Sequence, residues 1–214
     1  MISGSPAGAL RDRLARPALV VAPRLLGAVV ESEIDGVRVA VRLTEVEAYE
    51  GADDPASHAF RGRTTRTAVM FGPAGHLYCY FTYGMHWCAN IVCGADGVAA
   101  AVLLRAGEVL DGIDTARARR PTARKDVDLA RGPARLASCL GLGAAQNGVD
   151  LCDPASPVRL VSLPARRHRA ISAGPRVGIT LAAEHPWRFW LTDAPTVSTF
   201  KAGGRNRVRR EPAD

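Results

Sequence analysis

Lysine is almost missing from this chain: of 28 basic residues only Lys125 and Lys201 are lysines, and the rest are arginines. Chemistry that needs a reactive amine has just those two positions to draw on. No CxxC pair occurs, and the five cysteines, Cys79, Cys88, Cys93, Cys139 and Cys152, are odd in number. That excludes a disulfide framework and gives no cysteine-rich zinc or iron–sulfur site, so reduced intracellular thiols are expected. HxH and HExxH are also lacking. His58, His76 and His86 could be drawn around Asp53 or Asp54, but the spacing is irregular, and neither a metal nor another cofactor is expected. No apolar run approaches the roughly 18 residues of a membrane span, and no basic segment followed by an apolar stretch opens the sequence. The expectation is a soluble, cytoplasmic protein without membrane contact.

What the chain has in quantity is apolar and basic. Its 214 residues, 47% hydrophobic, suffice for one good core, so a single domain is expected. A formal net charge of +7 points to an anionic partner, either nucleic acid or an acidic membrane surface. Arginine's planar fork suits phosphate, although genomic base composition would produce the same bias.

Residues 1–15 are small, polar and basic and read as a flexible N-terminal segment. Ala18 to Val30, interrupted by Pro23, reads as a short helical entry onto the core. Residues 37–47 alternate as a strand, with Val37, Val39, Val41, Leu43 and Glu45 on one face and Val46 opposite, so that Glu45 and Glu47 share a side. Residues 77–82 and 86–93 flank Tyr83-Gly84-Met85 and describe a β-hairpin with an aromatic tip. A further strand runs from Val98 to Arg105, residues 107–120 look helical, and Gly132-Pro133 opens a helix through Leu140. Short strands are expected over residues 158–163, 176–180 and 187–191. The order is mixed rather than alternating βαβ. The expected fold class is α+β, a single mixed domain with a curved, largely antiparallel β-sheet, surrounding helices and a protruding β-hairpin. Residues 201–214 lack apolar periodicity and form a basic C-terminal tail.

Chemistry concentrates between Leu43 and Arg105. Glu47 lies between Val46 and Ala48 beside Tyr49, where a carboxylate would be desolvated enough to act as a general base; the plainer reading is a salt bridge, with Arg105 as partner. Glu45 and Glu47 sit roughly 7 Å apart along one strand and could imitate a glycosidase pair. His58 follows in the loop after Glu47. Tyr49, Tyr80 and Tyr83 are either core aromatics or a stacking platform for bases, and a tyrosine at a glycine turn beside basic segments fits an intercalating wedge better than a core. Asn90, polar within an apolar run, either bridges backbone or reads a base edge. Arg61, Arg63, Arg66 and the arginines from Arg117 to Arg135 could contact phosphates.

Taken in order, Glu45-Val46-Glu47-Ala48-Tyr49, Ala56-Ser57-His58, Met70-Phe71-Gly72-Pro73, Leu77-Tyr78, Tyr80, Tyr83-Gly84-Met85, Asn90-Ile91, Val102-Leu103-Leu104-Arg105-Ala106, Arg131-Gly132-Pro133 and Arg176-Val177-Gly178-Ile179 resemble the alkyladenine (3-methyladenine) DNA glycosylase family. The resemblance spans roughly residues 16–200, which it marks as the glycosylase domain. It implies a monofunctional enzyme that flips alkylated or deaminated purines, of the 3-methyladenine, hypoxanthine and ethenoadenine class, out of double-stranded DNA and hydrolyses the N-glycosidic bond. It also implies a hairpin in the minor groove, no cofactor, action as a monomer, and a bacterial-type location at the nucleoid. By this resemblance Glu47 is the base that deprotonates the attacking water and Arg105 helps hold that water. Tyr49 and His58 form one wall of the base pocket, His58 also donating to the base, and Tyr80 forms the opposite wall. Asn90 disfavours guanine's amine. Tyr83 fills the gap in the duplex, with Met85 and Arg135 also on DNA. Val46 stands where threonine is common, and Thr65-Arg66-Thr67 where Pro-Arg-Asn is. Lys125 and Lys201 lie outside these motifs, so no lyase activity is expected. A damage-binding protein without catalysis and a metal-dependent phosphoesterase are the rivals.

Overall fold

Residues 5–164 and 170–204 are described by a computed structural model. Two short helices, α1 (Pro6–Leu14) and α2 (Ala18–Leu25), lead into a hairpin of β1 (Val29–Ile34) and β2 (Val37–Tyr49). Its turn is Asp35-Gly36, with φ of 54° and 72°, both positive as the tight turn favoured by twisted hairpins requires. A second hairpin pairs β3 (Leu77–Thr82) with β4 (His86–Cys93), and β5 (Ala100–Asp111) returns alongside. Helices α3 (Ile113–Arg119) and α4 (Pro133–Leu140) precede three short strands, β6 (Val158–Ser162), β7 (Ile171–Gly174) and β8 (Arg188–Leu191).

Every strand pairing is antiparallel. The order is β3-β4-β5-β2-β1-β6, and β8, with β7 behind it, takes the edge of β2 beyond the end of β1. The sheet curls into a half-barrel, giving the α+β single domain expected from the sequence. Helix α2 packs on β2, and α4 on β4 and β5. Val21, Leu25, Leu136 and Leu140 from these helices meet Val39, Leu43, Val46, Ile91 and Leu104 in the main core, all of them buried. The β3–β4 hairpin projects from one edge, leaving Phe81, Tyr83 and Met85 exposed.

The alternation expected along β2 breaks in the middle. Val39, Val41 and Leu43 enter the core, but so do Val46 and Ala48, three and five residues beyond Leu43. The register against β5 shifts on both sides of Glu45, and one extra residue there inverts the inside–outside order. Glu45 and Glu47 do share a face, as expected, but it is the face opposite the valines. Gly107 permits the bulge: opposite Leu43, a Cβ on it would lie 2.3 Å from Val41 Cγ1 and 2.7 Å from the Arg42 carbonyl oxygen.

Other elements also depart from expectation. Residues 6–14 are a helix rather than a flexible segment: Ser5 Oγ accepts from Gly8 N–H, Pro6 starts the first turn, Leu14 is buried, and Arg11 reaches Asp150 and the Ala74 carbonyl. Ala18 to Val30 splits into α2 and the start of β1. Residues 107–111 continue β5, because they pair with β2, and left-handed Gly112 separates the strand from α3. Arg176–Thr180 is a loop, the strand lying earlier at β7. Of the basic tail, the Lys201 carbonyl accepts from Gly178 N–H at 2.9 Å and Gly203 packs against Ile179, while residues 205–214 lie outside the described residues.

Replacing Gly107 with alanine overfills the bulge and should lower unfolding free energy by about 1–3 kcal/mol in urea titration; a loss below about 0.5 kcal/mol would show that the close approach is not restrictive.

Candidate active site

A cavity of about 350 Å³ opens between the hairpin and the end of β2. Its walls hold Glu47, Tyr49, His58, Tyr80, Asn90 and Arg105, so six residues expected to act on the base and the water meet in one place. Tyr83 borders it from the hairpin tip.

Glu47 is completely buried. Its Oε2 accepts from the Tyr49 hydroxyl at 3.0 Å, its Oε1 accepts from Val177 N–H at 2.7 Å, and Arg105 Nη1 lies 3.3 Å from Oε1. Burial raises its pKa above the usual 4.5, with Arg105, the Val177 amide and Tyr49 pulling the other way. A carboxylate offers about four acceptor positions, so two hydrogen-bond donors and the Arg105 charge leave room for a water. Arg105, also buried, donates from Nε to Glu45 Oε1 at 2.8 Å and from Nη2 to Ser198 Oγ at 3.2 Å. Glu45 is saturated in turn: Arg188 Nε, Ser198 N–H and Ser198 Oγ all donate to it. It is a structural carboxylate, with its oxygens taken up by these partners, and not half of a glycosidase pair.

The aromatic walls differ in kind. Tyr78 and Tyr80, which share a face of β3, stack with centroids 5.7 Å apart. His58 stands perpendicular to Tyr80, at 84° and 4.5 Å between centroids, too close for a base to stack between them. Its position fits the expected hydrogen-bond donor and not a stacking wall parallel to Tyr80. Although the imidazole is reached by solvent at the rim, partial burial and the Arg66 charge lower its pKa from 6.5 to about 4, so it is neutral at physiological pH. Tyr78 keeps its proton because burial raises its pKa, and its hydroxyl is 3.2 Å from His58 Nδ1. A tyrosine donating to Nδ1 leaves Nε2–H as the donor.

Tyr49 is the stiffer wall. The Arg176 guanidinium lies 4.5 Å from its ring centroid and 5.0 Å from that of Trp187, sandwiched between the two. Arg176 is fixed by Asp54, to which it donates from both terminal nitrogens, and by the Ala48 carbonyl. Asn90 donates from Nδ2 to the Tyr78 carbonyl at 3.1 Å, across the hairpin pair Tyr78–Asn90, which is the backbone-bridging role considered for it. It still lines the cavity.

Outside the cavity, Tyr83 is 85% exposed and held at φ 52°, followed by Gly84 at φ 66°, with Met85 N–H closing the turn on the Thr82 carbonyl. A non-glycine residue in that region costs about 1–2 kcal/mol, so the turn holds an aromatic ring in solvent against two preferences. Beside the hairpin, a groove of about 660 Å³ is lined by Met85, Trp87, Arg119, Arg120 and Arg135 among others. Arg119 and Arg120 donate to the carbonyls of Cys139 and Leu129, and burial together with the nearby Arg135 charge lowers the Arg120 pKa. His76 and His86 do not gather around His58: His76 Nδ1 contacts the Pro73 carbonyl, His86 is exposed, and Asp54 belongs to Arg176. Among the described residues no group of three or more His, Cys, Asp and Glu side chains could hold a metal.

The family model described as "Methylpurine-DNA glycosylase (MPG)" matches residues 12–195. The chain belongs to that family. Proteins similar to it include one from Nocardia farcinica, 54% identical over 189 residues, covering 86% of this chain and 87% of the relative. Another, from Streptomyces avermitilis, is 50% identical over 93% of this chain and 94% of the relative, and one from Mycobacterium tuberculosis is 48% identical over 92% and 97%. All three carry the name "Putative 3-methyladenine DNA glycosylase". No helix among the described residues of this family member is long and apolar enough to cross a membrane.

Several groups that shape the glycosylase site went unread in the sequence: Val177 N–H on Glu47, the Asp54–Arg176–Trp187 stack behind Tyr49, and Arg188 and Ser198 on Glu45. The Arg176–Ile179 motif marked the first two, but only as a resemblance. Arg176→Met would leave Asp54 buried without its cation and should cost about 3–5 kcal/mol in chemical denaturation; a cost below about 1 kcal/mol would mean that the pair does not carry the wall.

Proposed function

We propose that the protein is a monofunctional DNA glycosylase that takes alkylated or deaminated purines, of the 3-methyladenine, hypoxanthine and ethenoadenine class, out of double-stranded DNA and hydrolyses the N-glycosidic bond. The observation that carries this reading is the buried Glu47 carboxylate at the wall of an aromatic cavity, held by two hydrogen-bond donors and the Arg105 guanidinium, at the foot of a hairpin that offers Tyr83 to solvent.

A base inside a duplex is out of reach of Glu47, so it must be unstacked, at a cost of a few kcal/mol that poorly pairing lesions reduce. Tyr83 offsets part of the rest by filling the gap, with Met85 beside it and Arg135, Arg119 and Arg120 on the flanking phosphates. The flipped purine stacks on Tyr80 and Tyr49, the face of Tyr49 being fixed by Arg176 from behind. His58 donates to the base from its edge, and Asn90, anchored through Nδ2, sets which exocyclic groups fit.

As the glycosidic bond lengthens, positive charge develops on the sugar, which the Glu47 carboxylate stabilises while taking a proton from the attacking water. Arg105 holds the carboxylate and helps orient the water. An alkylated purine already carries positive charge and leaves readily; hypoxanthine is neutral and needs protonation. The reaction as drawn uses no amine, and Lys125 and Lys201 lie in no wall of the cavity. A sensor that binds lesions without cutting has no use for a desolvated carboxylate aimed at the cavity, which favours catalysis over that rival. The reading also takes the protein to act as a monomer in the bacterial cytoplasm.

Incubating a duplex that contains hypoxanthine or 1,N6-ethenoadenine with the protein in EDTA, followed by alkali, tests this assignment. Strand breaks appearing only after alkali are expected. Direct breaks lost in EDTA indicate a phosphoesterase, and binding without breaks indicates a sensor. Borohydride should trap no protein–DNA adduct.

Tyr83→Ala should weaken binding to a lesion duplex by about tenfold or more, while Arg135→Ala should lower the slope of log affinity against log salt by about 1. Unchanged lesion binding in the first, or an unchanged slope in the second, would remove that residue from the interface.

A further inference from the structure

Glu45 and Glu47 compete for one guanidinium. Arg105 sits closer to the first, 2.8 Å from Nε to Glu45 Oε1, than to the second, 3.3 Å from Nη1 to Glu47 Oε1. Both carboxylates are fully buried, so each needs a cation, and a single arginine divided between them would be drawn toward the one that holds it more firmly. The structure supplies a second. Arg188, 4% exposed on β8, donates from Nε to Glu45 Oε1 at 2.7 Å and from Nη2 to the Ser198 carbonyl at 2.8 Å, and its guanidinium covers the Trp190 ring at 4.7 Å. Its backbone is opposite Glu47 in the β2–β8 register.

We propose that Arg188 is a positioning residue for excision: by occupying Glu45, it frees the outer edge of Arg105 to hold the Glu47 carboxylate. The inference rests on the reading of Glu47 as the base. Arg188 is not a wall of the cavity, so it acts on the reaction only through Glu45 and Arg105. Ser198 completes the arrangement from the segment that follows β8. Its N–H and hydroxyl both donate to Glu45, and its Oγ accepts from Arg105 Nη2, so it ties the two arginines to one carboxylate.

Among the described residues, the charged and titratable groups facing Glu47 are Glu45 and Tyr49 from β2, Arg105 from β5 and Tyr80 from β3, with Arg176 acting on Tyr49 from behind. Arg188 is the one that balances Glu45. With Arg188 neutral, three charges remain in the Glu45, Glu47 and Arg105 cluster, two negative and one positive. Arg105 then turns toward Glu45, and Glu47 holds a proton up to higher pH. The visible consequence is a change in the shape of the pH–rate profile and not only in its height.

The test is the single-turnover release of methylated purines from dimethyl-sulfate-treated duplex DNA, measured from about pH 5.5 to about pH 8. These bases already carry their positive charge, so the acidic limb belongs to the protein and not to protonation of the leaving group. For Arg188→Met, the ratio of the rate at about pH 8 to that at about pH 5.5 should rise about tenfold over that of the unaltered protein. Arg188→Lys, which keeps the charge, should bring it back to within about threefold. An Arg188→Met rate that falls equally at all pH values would make Arg188 merely structural and overturn the proposal. Should Arg188→Met fail to fold, Arg188→Gln, which can still donate to Glu45 but carries no charge, decides the matter: a ratio raised in the same direction supports the coupling, and an unchanged ratio overturns it. Glu47→Gln run alongside separates the two readings. If it excises at a near-normal rate, the base assignment has failed; if it is inert while the Arg188 variants leave the profile unmoved, only the present inference has.

Discussion

Two carboxylates buried side by side on one strand are the constraint on which this structure turns. Glu45 and Glu47 have no exposed surface, and isolated charges in such a place would cost several kcal/mol each, or would simply take up protons. Arg105 and Arg188 balance them in number, and each arginine is itself fixed by further partners, Ser198 for both and Trp190 for Arg188. The balance is unequal by design of the contacts. Glu45 is saturated with donors and serves as ballast, whereas Glu47 lines the cavity with fewer donors on it. Burial that raises its pKa also makes it a stronger base than an exposed carboxylate once it is ionised.

The rest of the fold serves that pair. The bulge in β2 turns both carboxylates away from the valine face, and Gly107 on β5 leaves room for it. β8 arrives where β1 ends, bringing Arg188 to the far side of β2. The hairpin places Tyr80 and Asn90 along the cavity and carries Tyr83 at its rim, so that a wall of the pocket and the exposed tyrosine belong to one element. Asp54 and Arg176 do for Tyr49 what Glu45 and Arg188 do for Arg105: each is a buried ion pair whose purpose is the position of a third side chain.

How much of this was legible in the sequence follows from how far each signal reaches along the chain. The 77–93 hairpin and helix α4 match expectation because turn residues and helix-opening Gly132-Pro133 act within a few positions. β1 begins within the Ala18–Val30 stretch expected to be a helical entry, and residues 31–34 carry no expected element, even though Asp35-Gly36 between alternating residues is among the strongest short-range hairpin signals. The parity of Glu45 could not be read, because the bulge depends on β5, some sixty residues away. Residues 107–111 looked helical in isolation and are held extended by β2. Among the site residues, the cavity set was recovered through the ordered motifs, whereas the Val177 amide carries no side-chain signal, and Arg188 and Ser198 contact Glu45 from more than a hundred residues on.

The central claim is that Glu47 is the base and that its contribution lies in chemistry rather than in binding. Glu47→Gln keeps the shape and the Tyr49 and Val177 neighbourhood while removing the negative charge. Measured side by side on one lesion-containing duplex, its affinity should stay within about threefold of the unaltered protein while single-turnover excision falls by about 10²–10⁴-fold. Excision that persists near the unaltered rate would contradict the account.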